Sequence, residues 1–499
     1  MNQSQLEYDL LVIGGGINGA GIAADAAGRG LSVVLCEKSD LAAATSSASS
    51  KLIHGGLRYL EQYEFGLVRS SLNEREVLIN AAQHIVRPLP FHIPLLPHSR
   101  GGLLLRAGLF LYDNLGQRRR FRGSRAIRIN PKESPLNAAI TRGFEYWDAQ
   151  VDDARLVVLN ALQAREQGAR ILTRTEVTAI TTIEEGFEVT LHNHHDQRES
   201  SLRVKGIVNA TGPWAASVKN ILHEGRDPLK LRLLRGSHIV VPRLHDGIQA
   251  YLLQHHDGRV IFVIPYQREY SLIGTTESEF QGNPDDAEIS EEEIHYLISV
   301  VNLYFKKSIQ ESDVVRTFAG VRPLIDDGEK TASKVSREFE IRLEHSPQPF
   351  LSVYGGKLTT YRLLAEATLN QLSRFYPRMK PAWTRRARLP GGDFDLPENL
   401  FKEIATRYAW LGPDLITRWQ HNYGTLVFKM LGDARSMPDL GVNFGQGLYK
   451  REVDYLQRHE WAHTADDILW RRTKLGYRFS KKEAHSLSNY MEQTSAVRR

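Results

Sequence analysis

The sequence of 499 residues contains a single cysteine, Cys36, and no internal repeat of fixed period. One thiol excludes internal disulfides and metal centres that need several cysteines, such as iron–sulfur clusters. Long apolar runs are also missing, because no stretch approaches the roughly 20 residues of a membrane-spanning helix. The first residues lack the charged and then apolar pattern of a secretory signal. We therefore expect a cytoplasmic protein with no metal site, and membrane contact only of a peripheral kind.

The overall charge is too small to indicate a nucleic-acid-binding protein, since the formal net charge is only +6. Hydrophobic residues make up 41% of the chain and charged residues 24%, as in soluble globular proteins. A chain of this length is expected to form about two or three domains. The basic residues are concentrated locally, because residues 100–128 contain eight arginines and one acid.

The N-terminal stretch contains a glycine motif between two predicted strands. An apolar strand at residues 10–13 leads into Gly14, Gly16 and Gly19 at GxGxxG spacing, and a second strand at residues 33–36 ends on Glu37. Such glycines allow a tight turn, close approach of the backbone to a pyrophosphate, and close packing of helix on strand. Glu37 stands where a carboxylate accepts a bond from a ribose hydroxyl. We therefore interpret the motif as a dinucleotide site rather than an ordinary strand–helix turn, although it does not distinguish NAD from FAD.

A run of small and hydroxylated side chains follows at residues 42–51. On its own, such a run is typical of a low-complexity linker. Beside a nucleotide motif we favour a segment that lies against a flat ligand, since small residues permit close approach and their hydroxyls bond to phosphate or ring oxygens.

Two later segments have the pattern of strands that end at a ligand. An apolar strand at residues 207–210 stops at Thr211 and Gly212, and residues 351–354 lead into Gly355, Gly356 and Lys357. Strands that return to the nucleotide sheet this late predict a discontinuous domain. They also disfavour an NAD-linked enzyme, because a buried flavin requires contacts from several distant segments.

The remaining patterns suggest how the chain is divided. Residues 231–276 alternate β-branched and polar positions between glycines and prolines, which predicts an antiparallel sheet that forms a lid. Residues 77–97 are punctuated by prolines and predict edge strands rather than a helix, and the residues after 390 have a helical pattern. We assign residues 1–75, 145–225 and 317–390 to a cofactor domain, residues 76–144 and 226–316 to a substrate-binding lid domain, and residues 391–499 to a C-terminal helical cap.

Over nearly its whole length the chain resembles the bacterial FAD-dependent, respiratory sn-glycerol-3-phosphate dehydrogenases. The most specific strings are residues 54–60, His-Gly-Gly-Leu-Arg-Tyr-Leu, and residues 355–362, Gly-Gly-Lys-Leu-Thr-Thr-Tyr-Arg. Further matching strings are residues 13–21, 44–53, 208–214, 235–241, 320–324 and 466–472. One position departs from the family: its string reads Gly-Thr-Thr-Asp where this chain has Glu277, which leaves the role of that acid open.

The resemblance implies an α/β fold with a discontinuous, Rossmann-like and glycine-oxidase-like FAD domain, an antiparallel β-rich substrate domain and a C-terminal helical domain. It also implies oxidation of glycerol 3-phosphate to dihydroxyacetone phosphate, with electrons passed to membrane quinone. FAD is then the expected cofactor. The residues expected to contact it are Gly14, Gly16, Asn18, Gly19, Glu37, Lys38, Thr45, Ser46, Ser49, Ser50, Lys51, Ala210, Thr211, Gly212, Gly356, Lys357, Leu358 and Thr359.

Such a substrate carries a dianionic phosphate, which calls for cations. Arg58, with Tyr59 beside it, and Arg322 stand at the ends of apolar runs and are the expected substrate ligands. An isolated arginine is more often a surface ion-pair partner. Lys357 is expected to bind substrate and to stabilise negative charge on the reduced flavin, together with backbone amides of a helix beginning near Thr359; its alternative is a solvated loop lysine.

The alcohol of the substrate calls for a proton acceptor. His54 and His238 are the candidate bases, since imidazole titrates near neutral pH. A histidine beside glycines is also common as a turn residue, and the sequence does not choose between the two. The alternatives to a dehydrogenase are an oxidase of the same fold that reduces oxygen and a non-catalytic flavin-binding protein.

The apolar residues 101–115 precede Arg118, Arg119 and Arg120. The sequence equally permits a core helix beside a solvated basic loop and a helix that lies on anionic phospholipid. A flavin without a second redox centre must reach a lipid-soluble acceptor, so we favour peripheral attachment to the inner face of the cytoplasmic membrane. A homodimer is compatible with the sequence, and no nucleic-acid partner is expected.

Overall fold

The computed structural model of the protein describes residues 7–96, 102–223, 231–325, 339–345 and 348–497. Arg100 and Gly101, at the start of the segment predicted to meet a membrane, lie outside these ranges. So does the predicted domain boundary at residues 225 and 226.

The chain alternates strands and helices up to residue 372 and is helical after that. In chain order the strands are β1 (Tyr8–Ile13), β2 (Val33–Cys36), β3 (Leu52–Ile53), β4 (Val86–Pro94), β5 (Arg125–Arg128), β6 (Arg142–Val151), β7 (Arg170–Leu172), β8 (Thr175–Ile183), β9 (Gly186–Asn193), β10 (Arg198–Asn209), β11 (Leu231–Pro242), β12 (Ala250–Gln254), β13 (Val260–Tyr266), β14 (Tyr270–Gly274), β15 (Ser278–Glu279), β16 (Arg316–Ile325), β17 (Glu340–His345) and β18 (Pro349–Tyr354). The helices are α1 (Ile17–Gly28), α2 (Phe65–Ala81), α3 (Gly102–Leu115), α4 (Asp153–Glu166), α5 (Ala215–His223), α6 (Glu291–Tyr304), α7 (Tyr361–Leu372), α8 (Pro397–Arg407), α9 (Pro413–Tyr423), α10 (Leu426–Leu431), α11 (Lys450–His459) and α12 (Lys481–Val497).

The first sheet has the order β17-β18-β10-β1-β2-β7, and β8 and β9 extend it from β10. Its strands β18, β10, β1, β2 and β7 run parallel. A parallel sheet needs cover on both faces, and α1, α4 and α7 supply it on one face through an alanine- and leucine-rich core. The carboxyl ends of the parallel strands therefore meet at one edge, which is where ligands bind in open α/β sheets.

The second sheet is largely antiparallel and has the order β15-β11-β14-β13-β12-β4-β6-β3, with β16 on β11 and β5 on β6. Helices α2 and α3 belong to the apolar cluster on one of its faces, and α6 to the cluster on the other. The proposed domain boundaries stay a prediction. These boundaries assign β3 and β16 to the cofactor domain. In the structure both strands belong to the second sheet, where β3 pairs with β6 and β16 pairs with β11.

The prediction of edge strands over residues 77–97 is wrong in two respects. Helix α2 continues to Ala81, and β4 lies inside the sheet between β6 and β12. Pro88, Pro90 and Pro94 occupy alternate positions along β4, so the amide donors they lack all fall on one side of the strand. The pairing with β12 reaches only Phe91 and one neighbouring residue of β4, and a short contact of this kind tolerates missing donors.

Helices α8 to α12 form a separate apolar core after residue 390. Trp419 and Tyr423 are fully buried in it. A π-helix, Asp467–Arg472, stands between α11 and α12. Among the residues that the structure describes, no helix has the length and apolar character needed to cross a bilayer.

Candidate active site

The loop between β1 and α1 has the geometry that the glycine motif predicts. Gly14 has a φ of +110°, and a Cβ there would lie 2.6 Å from the carbonyl oxygen of Ala210. A Cβ on Gly19 would lie 1.9 Å from the carbonyl oxygen of Gly14, so the close packing of helix on turn requires glycine. Gly16 is the N-cap of α1 and has no side chain with which to cap it, and the first helical N–H, that of Ile17, donates to the Ser46 hydroxyl. Because α1 begins at the carboxyl end of β1, the positive end of its dipole faces the ligand-binding edge of the sheet.

Glu37, at the end of β2, lies against this loop. Its carboxylate accepts hydrogen bonds from the backbone N–H of Gly15 at 2.6 Å and of Ser39 at 2.8 Å. Burial raises the pKa of the Glu37 carboxyl, and the two amide donors oppose that rise. A carboxylate has about four lone-pair sites, so capacity remains for ribose hydroxyls. The side chain of the next residue, Lys38, pairs with Asp285 at 2.8 Å, and its contact with the cofactor stays a prediction.

Asn18 lies between the first turn of α1 and the late Gly355-Gly356 segment. Its Nδ2 donates to the Gly355 carbonyl oxygen at 3.2 Å, while its buried Oδ1 has no hydrogen-bond partner among the described residues. Gly355 and Gly356 have φ values of +68° and +88°, which side chains rarely permit. A buried acceptor beside such a cradle suits a donor on a ligand. Leu358 and Thr359 follow in a 3-10 turn, Leu358–Thr360.

The serine-rich run is ordered against this edge of the sheet. The hydroxyl of Thr45 donates to the Val321 carbonyl oxygen at 2.6 Å, and the hydroxyl of Ser46 accepts from the Ile17 N–H at 2.9 Å. These contacts tie the run to β16 and to the start of α1. The prediction that the run is more than a linker is thus supported by its contacts, and its contact with a cofactor stays a prediction.

The end of the run is held by a buried ion pair. Lys51 donates to both oxygens of Asp153, at 3.0 and 2.8 Å, and the hydroxyl of Ser49 donates to Asp153 at 2.7 Å. Burial lowers the pKa of Lys51, whereas Asp153 opposes that shift. Burial alone would raise the pKa of Asp153, but Lys51 brings it below the ordinary value. The Lys51 ammonium therefore holds the segment in place, and a contact between Lys51 and the cofactor stays a prediction.

His238, on β11, lies behind Ser50. Its Nε2 is 2.9 Å from the Ser50 hydroxyl oxygen, and its ring stacks on Phe318 with centroids 5.0 Å apart. The Nδ1 atom has no hydrogen-bond partner among the described residues. Burial, aided by Lys51 and Arg322, lowers the pKa of His238 to about 3. The imidazole is therefore neutral at neutral pH.

His54 lies nearer to Lys357. The backbone N–H of His54 donates to the Thr359 hydroxyl oxygen at 3.3 Å. This hydrogen bond connects the 54–60 string to the 355–362 string. Burial, followed by Lys357 and Arg322, lowers the pKa of His54 to about 3. The Lys357 ammonium lies 3.6 Å from the centroid of the Tyr59 ring, so the two most specific strings of the sequence meet here.

The two predicted phosphate ligands lie on different elements of the fold. Arg58 is partly exposed in the 3-10 turn Leu57–Gln62, next to Tyr59. Arg322 is on β16, opposite Leu234 of β11, with its guanidinium 3.9 Å from the Glu277 carboxylate. Arg322 influences the pKa of both candidate histidines. The structure thus brings His54, His238, Arg322 and Lys357 into one electropositive neighbourhood.

Comparison with known proteins gives the family. Residues 9–362 match the model of the FAD-dependent oxidoreductases, and residues 382–495 match the C-terminal domain of α-glycerophosphate oxidase. The chain belongs to the FAD-dependent oxidoreductase family. The family predicted from the sequence is confirmed.

Relatives of this FAD-dependent oxidoreductase match over almost their full lengths. A glycerol-3-phosphate dehydrogenase of Pseudomonas aeruginosa is 51% identical, covering 97% of this chain and 95% of the relative. The aerobic glycerol-3-phosphate dehydrogenase of Escherichia coli is 46% identical, covering 98% of each. The D-erythritol 1-phosphate dehydrogenase of Brucella abortus is 45% identical, also covering 98% of each.

Solved structures confirm the predicted fold class. A glycerol-3-phosphate dehydrogenase from Bacillus halodurans, complexed with FAD, has a TM-score of 0.73 at 25% identity and covers 99% of this chain and 95% of its own. Glycine oxidase from Geobacillus kaustophilus has a TM-score of 0.54 at 18% identity and covers 77% of this chain and 98% of its own. FAD is the cofactor of this oxidoreductase, and the Gly19 packing, the Glu37 carboxylate and the buried acceptor of Asn18 fit it.

Three residues of the site were missed by the sequence reasoning. Asp153 holds Lys51, the Phe262 ring lies edge-on to His54 with centroids 6.1 Å apart, and Glu293 pairs with Arg235 at 2.9 Å. Asp153 has a local signal, because it follows the N-cap residue Asp152 and begins α4. Glu293 belongs to the capping box that opens α6, a motif that marks the start of a helix but does not give the partner Arg235. Phe262 lies on β13, whose sequence carries no motif, so only the fold brings it to His54.

Proposed function

We propose that this flavoprotein oxidises sn-glycerol 3-phosphate to dihydroxyacetone phosphate and passes the electrons to membrane quinone. The observation that carries the proposal is the meeting of the His54 and Lys357 segments through the Thr359 hydroxyl and the Tyr59 ring, where Lys357 and Arg322 also help to lower the pKa of the buried His54. Two cations beside a neutral imidazole suit a dianionic phosphate ester whose alcohol must lose a proton. The names of two relatives support the same substrate, and the relative named for D-erythritol 1-phosphate shares the need to bind a phosphate.

The cationic residues of the site bind the phosphate, and the histidines accept the proton. Arg322 and Arg58 bind the phosphate, and Lys357, held over the Tyr59 ring, supplies a further positive charge. When bound, FAD accepts the hydride from the carbon that carries the alcohol. The hydroxyl proton passes to a ring nitrogen of His54 or His238.

A dianion in the site favours proton uptake by either histidine. Burial and neighbouring cations hold both pKa values at about 3, so both rings are free to accept a proton at neutral pH. Negative charge nearby opposes those effects. His238 offers Nδ1, which has no partner among the described residues, whereas its Nε2 faces Ser50.

Replacement of the base, His54→Asn or His238→Asn, should slow flavin reduction at saturating substrate with FAD still bound. If both variants reduce flavin at the wild-type rate, the base lies elsewhere.

The test of the function is an anaerobic absorbance spectrum before and after addition of sn-glycerol 3-phosphate. We expect loss of the oxidised flavin bands, and recovery when a soluble quinone is added. Slower bleaching with D-erythritol 1-phosphate than with glycerol 3-phosphate is the expected order. An unchanged spectrum would favour the non-catalytic flavin-binding alternative, and fast recovery with oxygen alone would favour the oxidase.

We also propose peripheral attachment to the inner face of the cytoplasmic membrane through α3. This helix carries apolar side chains outward: Leu103 is 89% exposed, Leu104 75% and Phe110 61%, whereas Leu109 and Tyr112 are buried. A soluble protein rarely exposes so continuous an apolar face without a binding role. The turn that bears Arg58 and Tyr59 packs against α3, so a lipid surface there would lie near the substrate site.

The loop after α3 supports lipid rather than protein as the occupant of that face. Arg118, Arg119 and Arg120 are exposed, and the backbone N–H groups of Arg119 and Arg120 donate to Glu76 at 2.7 and 3.3 Å, which fixes the loop beside α2. Each basic side chain near an anionic surface contributes about 1 kcal/mol of binding free energy. Apolar insertion flanked by arginines is the pattern of an interfacial helix. A homodimer stays a prediction.

A further inference from the structure

A buried carboxylate, Asp40, connects the C-terminal helices to the dinucleotide loop. Asp40 is 1% exposed, and its two oxygens accept hydrogen bonds from Nη1 and Nη2 of Arg472, both at 2.7 Å. Arg471 donates through Nε to the same carboxylate. Both arginines end the π-helix Asp467–Arg472, and Arg472 is 432 residues away from Asp40 in sequence. One acid near the N-terminus thus receives two guanidinium groups from the other end of the chain.

Asp40 lies in residues 39–43, a loop that follows β2 and forms hydrogen bonds with both halves of the dinucleotide motif. The Ser39 N–H donates to the Glu37 carboxylate at 2.8 Å, and the Ala42 N–H donates to the Gly15 carbonyl oxygen at 3.1 Å. Ala42 is buried with a φ of +60°, a left-handed conformation that alanine rarely adopts. Such a conformation persists only where the surroundings enforce it.

The same π-helix reaches the loop by a second route. The Arg174 N–H donates to the Ser39 carbonyl oxygen at 2.8 Å, and the Arg174 guanidinium donates to Asp467 at 2.7 and 3.0 Å. Asp467 is the first residue of the π-helix. Residues 39–43 are therefore held from one C-terminal segment through Asp40 and through Arg174.

We infer that the C-terminal domain holds the FAD site in its binding conformation through Asp40, with Arg471 and Arg472 as positioning residues for the cofactor. The loop fixes Glu37 and Gly15, which form the ribose and pyrophosphate side of a dinucleotide site. Glycine oxidase, at 98% of its own length, covers only 77% of this chain. The fold can thus form without a counterpart to all of this chain.

The test compares FAD affinity with the stability of the apoprotein. FAD is removed, its rebinding is followed by quenching of flavin fluorescence, and the melting temperature of each apoprotein is measured. We expect Asp40→Asn and Arg472→Gln each to raise the FAD dissociation constant at least about tenfold, and the double variant to raise it no further than the stronger single variant. Arg472→Lys keeps the charge and should recover part of the affinity.

Arg155→Gln is the matched control. Arg155 is as buried as Arg472 and joins the same two parts of the protein, but its hydrogen bonds go to the Glu460 carboxylate and to the Asn422 carbonyl oxygen rather than to the loop. Arg472 donates to the Glu460 carbonyl oxygen as well, so the two variants differ in the contact with Asp40. It should lower the melting temperature of the apoprotein and leave FAD affinity within about twofold. Equal FAD affinity in Asp40→Asn and wild type would overturn the inference, and so would a loss of FAD affinity in Arg155→Gln equal to that in Arg472→Gln.

If Arg472→Gln does not fold, Arg471→Gln is the alternative variant. It removes one guanidinium donor to Asp40 from a half-buried position and should raise the FAD dissociation constant about threefold. An unchanged FAD dissociation constant in Arg471→Gln contradicts the inference as well.

Discussion

At the scale of single residues, two glycines of the β1–α1 loop are needed for different reasons. A Cβ on Gly19 would meet the protein itself, 1.9 Å from the Gly14 carbonyl oxygen. Among the described residues, a Cβ on Gly16 would have only the Ser46 hydroxyl nearby, at 3.1 Å. Gly19 is therefore required by the packing of helix on turn, whereas we propose that Gly16 is required by the pyrophosphate that the loop binds.

This difference predicts that Gly16→Val folds but does not hold FAD. The valine side chain blocks approach of the backbone to the pyrophosphate without a clash against neighbouring backbone. Flavin content per protein, read from the absorbance spectrum, should fall close to zero while the circular dichroism spectrum stays unchanged. The matched control is Gly412→Val, since Gly412 is also the N-cap of a helix and no described atom lies within 4 Å of a Cβ there. A Gly16→Val protein with normal flavin content would show that the pyrophosphate lies elsewhere.

Arg322 is the residue on which substrate affinity should depend most. Arg322→Met removes a charge-assisted contact with phosphate, a loss of roughly 1.5–3 kcal/mol, or about one to two decades in affinity. We expect a raised KM for glycerol 3-phosphate, a lowered kcat/KM and normal FAD content. Arg322→Lys, which keeps the charge without the planar fork, should lie between wild type and Arg322→Met. A KM equal to that of wild type in Arg322→Met would remove this arginine from the phosphate site.

The sequence identified the candidate site residues because they stand in recognisable motifs. It could not predict which side chains each of them contacts. The 54–60 string was enough to select His54, and the 320–324 string was enough to select Arg322. The contact between His238 and Ser50 joins positions 188 residues apart, and no local pattern predicts it. Lys51 was selected as a cofactor ligand, and its ammonium pairs instead with Asp153, since a buried ammonium needs an opposite charge.

At the scale of elements, α3 and the loop after it predict how the protein binds lipid. Replacement of the exposed leucines, Leu103→Ser with Leu104→Ser, should weaken co-sedimentation with anionic liposomes at all salt concentrations, because it removes apolar insertion. Replacement of Arg118, Arg119 and Arg120 by serine should weaken binding most at low salt, because screening already reduces the charge contribution at high salt. Quinone reductase activity should fall with binding in both variants, while dye-linked activity is retained.

Ile248→Ser is the control for lowered surface hydrophobicity, since Ile248 is 72% exposed on the connection between β11 and β12. It should sediment like wild type. The prediction fails if both α3 variants still pellet with anionic vesicles and reduce quinone normally. The helices after residue 390 would then be the next surface to test.

Element predictions succeeded where local chemistry sets the structure. Strand β2 begins and ends where predicted. The start of α4 is also set locally, because Asp152 caps it through a hydrogen bond from the Arg155 backbone N–H. The prolines of β4 misled the prediction, because a position inside a sheet depends on which neighbour pairs with the strand. For α3 the sequence left core and lipid contact open, and only the fold shows which face of the helix is outward.

At the scale of the whole molecule, the site is assembled from distant segments at one edge of the first sheet. The Gly14 turn, Glu37, Ala210 and Gly356 follow β1, β2, β10 and β18 respectively. Recurrence of ligand-type strand ends along the sequence predicted this discontinuity. The sequence could not predict that β16, which carries Arg322, pairs in the second sheet, because strand partners separated by many residues leave no local signal.

The whole molecule should also lose stability in acid through its buried histidines. His84 is 2% exposed, its two ring nitrogens have no hydrogen-bond partner among the described residues, and its ring lies against Phe394. Burial, followed by Arg155 and Arg87, lowers the pKa of His84 from 6.5 to about 3. His238 is equally buried and has a similar pKa.

The sign of the effect follows from the direction of these shifts. Because the folded-state pKa of His84 lies below the unfolded value of 6.5, the unfolded chain takes up a proton first as the pH falls. Stability is therefore complete above about pH 6.5 and is lost between there and about pH 3, at about 1.4 kcal/mol per pH unit for each such histidine. His84→Gln removes one titrating group. The melting temperature of this variant should therefore fall less than that of wild type between about pH 7.5 and about pH 5. His485→Gln, at an exposed position of α12, should keep the pH dependence of wild type. If the melting temperatures of His84→Gln and wild type fall by the same number of degrees over that range, His84 takes up its proton as readily in the folded protein as in the unfolded chain. Burial of His84 then does not control acid stability.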